Sequence, residues 1–453
     1  MLNYIWLGLI VLAVVIGGCT DHLKEVADKA LEMAEFTVMK TALPLVGIMA
    51  LWLGMMRLAE SAGLVAVFAR GVRPLMRWLF PEVPPNHPAM GSMVLNIAAG
   101  ILGLGNAATP LGLRAMKDLE TLNPHPGTAT NAMCTFLAIN TSSIQLIPVT
   151  AIAILAANNS TNATAIVGTS ILATTCAAVS GVTAAKLLQR LPIFSLKEAI
   201  FRPRTENSPA EDEHAGDTPV LTGKEPLADF PPAPMPWWGT LLFAVFLAFF
   251  GYLFLRLAFP GLLGLATQPD TAARTPFVRI INAISRLAIP FLLSGFPLYA
   301  VLRRVRIYEE FVEGAKEGFQ VAIRIIPYLV AILVAIGMFR AAGGIDLLSK
   351  VLHPVMQAVG FPADLLPMVI MRPLSGSGTL GMFTELVKQC GPDSLVSRMG
   401  GTIYGSTETT LYVLAVYFGS IGITRTRYAL LAGLTADLVG VIASVIICRV
   451  VFG

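Results

Sequence analysis

Long apolar stretches, most about the length that crosses a bilayer, recur along this chain with short polar segments between them. Spanning helices are predicted over 2–18, 41–58, 127–157, 163–189, 237–259, 283–302, 322–340, 394–418 and 425–450. Two segments, 21–39 and 306–320, set Asp, Glu and Lys against Leu, Val, Ala and Met at helical spacing, which predicts amphipathic helices at the membrane interface. A third, 64–80, carries Arg70, Arg73 and Arg77 beside Trp78, Leu79 and Phe80, and 345–359 parallels it in the second half. Pro81, Pro84, Pro85 and Pro88 then break the chain.

Two apolar regions do not read as plain spans. Residues 89–121 hold Gly91, Gly100, Gly103, Gly105 and Gly112, and 372–385 hold Gly376 and Gly378. Re-entrant hairpins are expected at both, since irregular backbone at membrane depth needs protein or a watery cavity around it. The order of unusual elements repeats. Pro44…Gly54-Met55 matches Pro327…Gly337-Met338, Gly103-x-Gly105 matches Gly376-x-Gly378, and Thr141 matches Thr407. The expected organisation is a first membrane repeat over 1–199, a Pro-rich, acidic composition over 200–235 that predicts a disordered linker, a connecting span at 236–260, and a second repeat over 261–453.

Four spans per repeat plus the connecting one make an odd offset, so the second repeat is expected to enter the membrane inverted. With the N-terminus cytoplasmic, Arg57, Arg70, Arg73, Arg77, Lys186, Arg190, Arg303, Arg304, Arg306, Arg425 and Arg427 fall inside, while the loop 158–162 outside carries no charge. The C-terminus then lies on the opposite side. The fold class is all-α and polytopic, in a cytoplasmic or inner membrane.

Composition agrees. Of 453 residues 55% are hydrophobic and 13% charged, against about a quarter charged in soluble chains. The net charge of +4 sits at segment ends, which suits cytoplasmic loops and argues against a nucleic-acid partner. The five cysteines form no C-x-x-C, the five histidines show no metal-ligand spacing, and no phosphate loop, dinucleotide fingerprint or nucleophile elbow occurs. No enzyme, resident metal or cofactor is expected.

The chemistry concentrates in two polar knots. The first is Asn140, Thr141, Ser142 and Ser143 with Gln145 beyond, and Asn131 and Thr135 upstream. Helix–helix hydrogen bonding accounts for part of such a set. So many polar side chains together favour a broken helix that offers oxygens to a ligand or cation. The second knot is Ser406, Thr407, Glu408 and Thr409, continued by Thr410 and flanked by Tyr404 and Tyr412. A carboxylate at membrane depth needs a proton, a cation or a partner. Glu408 is the candidate coupling or ligand group, with Na+ or H+ as the ion, unless Arg324 or Arg372 neutralises it. The hairpins add Asn96, Asn106 and Thr109, and Ser375, Ser377 and Thr379. Asp437, in the last span, is a further pairing or proton candidate.

The stretches NIAAGILGLGNAATPLGLRAM (96–116), RPLSGSGTLGMFTE (372–385) and GSTETTLYVLAVYFG (405–419) resemble the spore maturation A and B proteins, fused head to tail, of the nucleoside-recognition gate group. The resemblance covers nearly the whole chain outside the linker. It implies helical hairpins and inverted repeats, as in concentrative nucleoside transporters, and a link to dehydration of the spore core; the fused form implies a role apart from sporulation. The expectation is a secondary transporter or exporter of a small polar solute, such as a nucleoside or related metabolite. The alternative is a non-transporting membrane scaffold in envelope or developmental processes. Membrane lipid is the surrounding partner. Trp52, Trp78, Trp237 and Trp238 suit a lone protomer or a homo-oligomer equally.

Overall fold

The computed structural model describes residues 2–103, 105–194, 234–263, 275–344 and 361–453. The linker expected at 200–235, save its last two residues, and the amphipathic helix expected at 345–359 lie outside them. The described residues form an all-α bundle. Five of its helices are long and apolar enough to cross a membrane: Leu23–Ser61, Ala163–Leu188, Trp237–Ala258, Pro276–Leu302 and Ala429–Phe452. The chain is a polytopic membrane protein.

Helix α1 (Leu2–Cys19) turns at Asp21 into α2 (Leu23–Phe36). Here the structure corrects the sequence reading. The amphipathic segment 21–39 is not a separate helix. It runs through a π turn (Thr37–Ala42) straight into α3 (Leu43–Ser61). Pro44 has no N–H for the carbonyl four residues back, and the helix widens there instead of stopping. The second amphipathic segment, 306–320, is likewise continuous with its span.

The remaining first-half helices are α4 (Leu64–Leu79), α5 (Pro88–Leu102), α6 (Gly105–Glu120), α7 (Asn131–Thr141), α8 (Val149–Ala157) and α9 (Ile166–Leu188). After them come α10 (Trp237–Ala258), α11 (Pro276–Leu302), α12 (Ile307–Ala341), α13 (Leu366–Met371), α14 (Gly376–Cys390), α15 (Leu395–Ser406), α16 (Thr410–Gly419) and α17 (Ala429–Phe452). The segment 127–157, long for one span with its knot at the middle, is two shorter helices, and the span expected at 394–418 is likewise two.

The α2–α3 helix packs antiparallel to α12, amphipathic arm against apolar arm. The two glycines matched in the sequence do the same work. At Gly54 the ring and carbonyl of Phe311 come within 2.7–2.8 Å of where a Cβ would stand, and at Gly337 Met33 Cγ comes within 2.6 Å. Charges on the arms find partners across the pair: Glu310 accepts from Arg57 Nε at 3.0 Å and from the Ser61 hydroxyl at 2.8 Å. Trp52 is no surface anchor. It is 3% exposed within the main core, whereas Trp78, Trp237 and Trp238 are exposed.

Each broken helix is pinned at its start to a loop of the other half. Ala129 N–H donates to Arg425 O, and Arg427 donates to the Ala129 carbonyl and Asn131 Oδ1, each at 3.0 Å. Asp393 accepts from the Ser160 hydroxyl at 2.6 Å and from the Thr161 N–H and hydroxyl at 2.9 and 2.8 Å. Burial would raise the Asp393 carboxyl, but these donors, with Arg398, lower it from 3.8 to about 2. A depressed folded value adds stability that is complete above about pH 4 and is lost as pH falls through about 2. Asp393→Asn should therefore lower the melting temperature at pH 7, and that deficit should shrink toward pH 3. A deficit independent of pH would mean the carboxylate's charge is not what holds this joint.

Candidate functional site

The two breaks meet. Helix α7 ends at Thr141 because Ser142 and Ser143 turn their hydroxyls and backbone out of register; the Ser142 hydroxyl donates to Ile139 O, and Ser143 takes φ +43°. Helix α15 ends at Ser406, and Thr407 is extended. The Glu408 N–H donates to Thr141 O at 2.7 Å, joining one break to the other. Behind them the buried Thr174 hydroxyl lies 2.7 Å from Ser142 O and 2.9 Å from Ser143 O, satisfying carbonyls that the broken helix leaves bare. Each break is also tied to a neighbouring helix end: Leu146 N–H to Ile101 O at 2.9 Å, before the turn at Gly103, and Leu411 N–H to Pro373 O at 3.1 Å, before α14.

Between α5, α6, the first break and α16 lies a cavity of about 170 Å³. Its polar lining includes Asn96, Asn140, Ser143, Gln145, Glu408 and Tyr417. Glu408 Oε1 accepts from the Ser143 hydroxyl at 3.2 Å and lies 3.5 Å from Gln145 Nε2, which itself donates to Ser143 at 2.8 Å. No ion pair joins Glu408 to Arg372 among the described residues. Arg372 is 3% exposed and donates to the Tyr404 carbonyl at 3.0 Å and to Thr409 Oγ1 at 3.5 Å, with its Nε unpartnered and its guanidinium 4.9 Å from the Tyr404 ring centre. Arg324 and Asn106 lie, as side chains, outside the described residues.

The other residues named from sequence divide. Asn140 faces the cavity, accepting weakly from Tyr417 OH at 3.4 Å. Thr141, Ser142 and Ser406 turn their hydroxyls onto their own helices. Ser375 caps α14 by accepting from Gly378 N–H, Ser377 lies 3.3 Å from it, and Thr379 donates to Ser375 O. That start of α14 stands beside Thr409, not at the cavity, with Thr409 Oγ1 3.1 Å from where a Cβ on Gly376 would be. Asn131 does not extend the polar line; it sits at the far end of α7 with Glu82, Arg427 and Tyr428. Thr407 is fully buried with its hydroxyl unpartnered.

Tyr417 and Thr174 were not singled out from sequence. Each is one polar residue in an apolar run, a pattern that core residues share. Asn96 deserves its place in the lining: it is 1% exposed, its amide nitrogen donates to Ala108 O at 2.7 Å, and its oxygen has no partner. The cavity thus offers a carboxylate, amide groups and hydroxyls against apolar walls. That set suits a small polar solute or hydrated ion and provides no nucleophile–base pair. Among the described residues no cluster of His, Cys, Asp and Glu could hold a metal.

The gate family, described as nucleoside recognition, matches residues 42–189 and 322–424, more than half of the chain. Spore maturation protein B of Bacillus subtilis (strain 168) is 48% identical over 176 residues, 39% of this chain and 99% of that protein. Spore maturation protein A of the same organism is 42% identical over 182 residues, 40% of this chain and 92% of that protein. No solved structure matches the chain. Both halves of the family match carry one of the two breaks that meet at Glu408, and the chain belongs to the gate, or nucleoside-recognition, family.

Proposed function

We propose that this protein binds a small polar solute in the Glu408 cavity and moves it across the membrane, driven by Na+ or H+. The observation that carries the reading is the meeting of two broken helices at one carboxylate-lined cavity. Irregular backbone at membrane depth is tolerated where it lines such a space, and discontinuous helices recur at transporter binding sites. Nucleosides are the class that the family description names, and related metabolites share their chemistry. The cavity, about 170 Å³, is below the ~300–1,000 Å³ usual for drug-sized ligands, so a nucleoside requires the breaks to part.

The architecture proposed with it is two inverted repeats, 1–199 and 261–453, joined by 200–235 and the connecting helix, with α5–α6 and α13–α14 as re-entrant hairpins. The antiparallel α2–α3 and α12 pair, and the crosswise pins at Arg425–Arg427 and Asp393, support it. The N-terminus is cytoplasmic and the C-terminus opposite.

A second reading is favoured by the names of the relatives, which speak of spore maturation and not of transport: a membrane scaffold in envelope or developmental processes. Melting of the purified protein against nucleosides, bases and small metabolites separates the two. A true ligand at a hundred times its Kd stabilises by about 2.7 kcal/mol. A panel that leaves the melt unmoved, with and without Na+, sinks the transport reading in favour of the scaffold.

A further inference from the structure

Helix α17 carries Gly433, Asp437 and Gly440 on one face, at spacings of four and three. Both glycines are close approaches. A Cβ at Gly433 would stand 2.7 Å from Thr410 Cγ2 and 3.4 Å from Thr141 Oγ1; one at Gly440 would stand 2.7 Å from Thr407 Cγ2. The two breaks therefore press onto α17 on either side of Asp437. Its carboxylate, 6% exposed, takes the Thr410 hydroxyl on Oδ2 at 2.6 Å, while Oδ1 has no partner. Thr407, whose methyl packs at Gly440 one turn along from Asp437, is fully buried, and its hydroxyl also has no partner.

No Lys, Arg or His pairs with Asp437 among the described residues. The charged groups that bear on it are Arg372, committed to Tyr404 and Thr409, and Glu408. Helices α7 and α16 have no charged residue, α9 has only Lys186 in its last turn, α15 only Arg398 in its first, and α11 only Arg279 and Arg286. A lone carboxylate in such a place must share its charge with something. The surrounding donors are oxygens, with neither nitrogen nor sulfur ligands, and the set carries a single negative charge. That chemistry suits one hard monovalent cation and disfavours a transition metal.

We infer that Asp437, with Thr407 and Thr410, forms a buried site for a monovalent cation, Na+ or a proton, separate from the Glu408 cavity. The inference rests on the transport reading for its purpose, since the ion would be the coupling ion. Thr410 opens α16 and Glu408 precedes it by two residues, so an ion at Asp437 steadies the segment that presents Glu408 to the solute. Ion and solute then raise each other's affinity, as linkage requires.

The test is the melting temperature of the purified full-length protein without solute. NaCl is titrated against choline chloride and KCl at constant ionic strength, between about pH 5 and 9. If Na+ is the ion, the wild type gains stability saturably with NaCl alone. Asp437→Asn abolishes the gain, and Thr407→Val raises the Na+ midpoint about tenfold. If a proton is the ion, Na+ has no effect and the melt shows a pH step that Asp437→Asn removes. Responses to Na+ and to pH that are the same in Asp437→Asn as in the wild type overturn the inference. Should that variant not fold, an unchanged midpoint and pH step in Thr407→Val overturn it. The cation titration is run without solute, so a silent solute panel and a missing cation site remain separate failures.

Discussion

Glu408→Gln should weaken solute binding about a hundredfold and leave the solute-free melting temperature nearly unchanged. The carboxylate gathers the Ser143 hydroxyl and the Gln145 amide on one oxygen. Glutamine keeps the shape and one acceptor but replaces an acceptor by a donor and removes the charge. A hydrogen bond to a charged group is worth about 1.5–3 kcal/mol, and the upper part of that range is a factor of about a hundred. The fold should not notice, because the bond that joins the two breaks is the Glu408 backbone N–H to Thr141 O, which the substitution leaves alone. Alanine would be a poorer probe, since it also opens a void. Titration calorimetry with the solute found in the melting panel reads the affinity. An unchanged affinity in a folded Glu408→Gln protein would remove Glu408 from the site and move attention to Asn96 and Asn140.

The knots were legible because polar residues crowded into an apolar run have few uses there. Five polar side chains among positions 140–145 and four among 406–409 cannot all be absorbed by helix packing, and the structure unwinds at both. The arms of the long helices were not legible as continuous. The change from amphipathic to apolar pattern near 40 and 321 looks like a boundary in sequence, yet packing of each arm against the opposite half keeps the helix continuous, even past the hydrogen bond that Pro44 and Pro327 each cost. Arg372 was the natural partner for Glu408 by charge alone. Only the tertiary arrangement turns its guanidinium to Tyr404 and Thr409 instead. Asp437 illustrates the same limit: its position in an apolar helix marks it as costly, but the glycines that bring both breaks against it gain meaning only once α17 is packed.

The matched glycines should behave unequally. Gly54→Ala is expected to destabilise by about 1–3 kcal/mol, the usual cost of overpacking, and Gly337→Ala by less than about 1 kcal/mol. Both sit inside helices, where alanine is intrinsically better than glycine by about 1 kcal/mol. The neighbours decide the difference. A Cβ at Gly54 meets the Phe311 ring at 2.7 Å and the Phe311 carbonyl at 2.8 Å, so the backbone of α12 must retreat. At Gly337 the first contact is Met33 Cγ, on an unbranched side chain that can swing aside. Equilibrium unfolding in denaturant reads both. Phe311→Ala should restore part of the loss in Gly54→Ala and none in Gly337→Ala, because the coupling belongs to residues in contact. Equal costs at the two glycines, with no rescue, would mean that α2–α3 and α12 do not pair in this register, and the two halves would then have to meet through the broken helices alone.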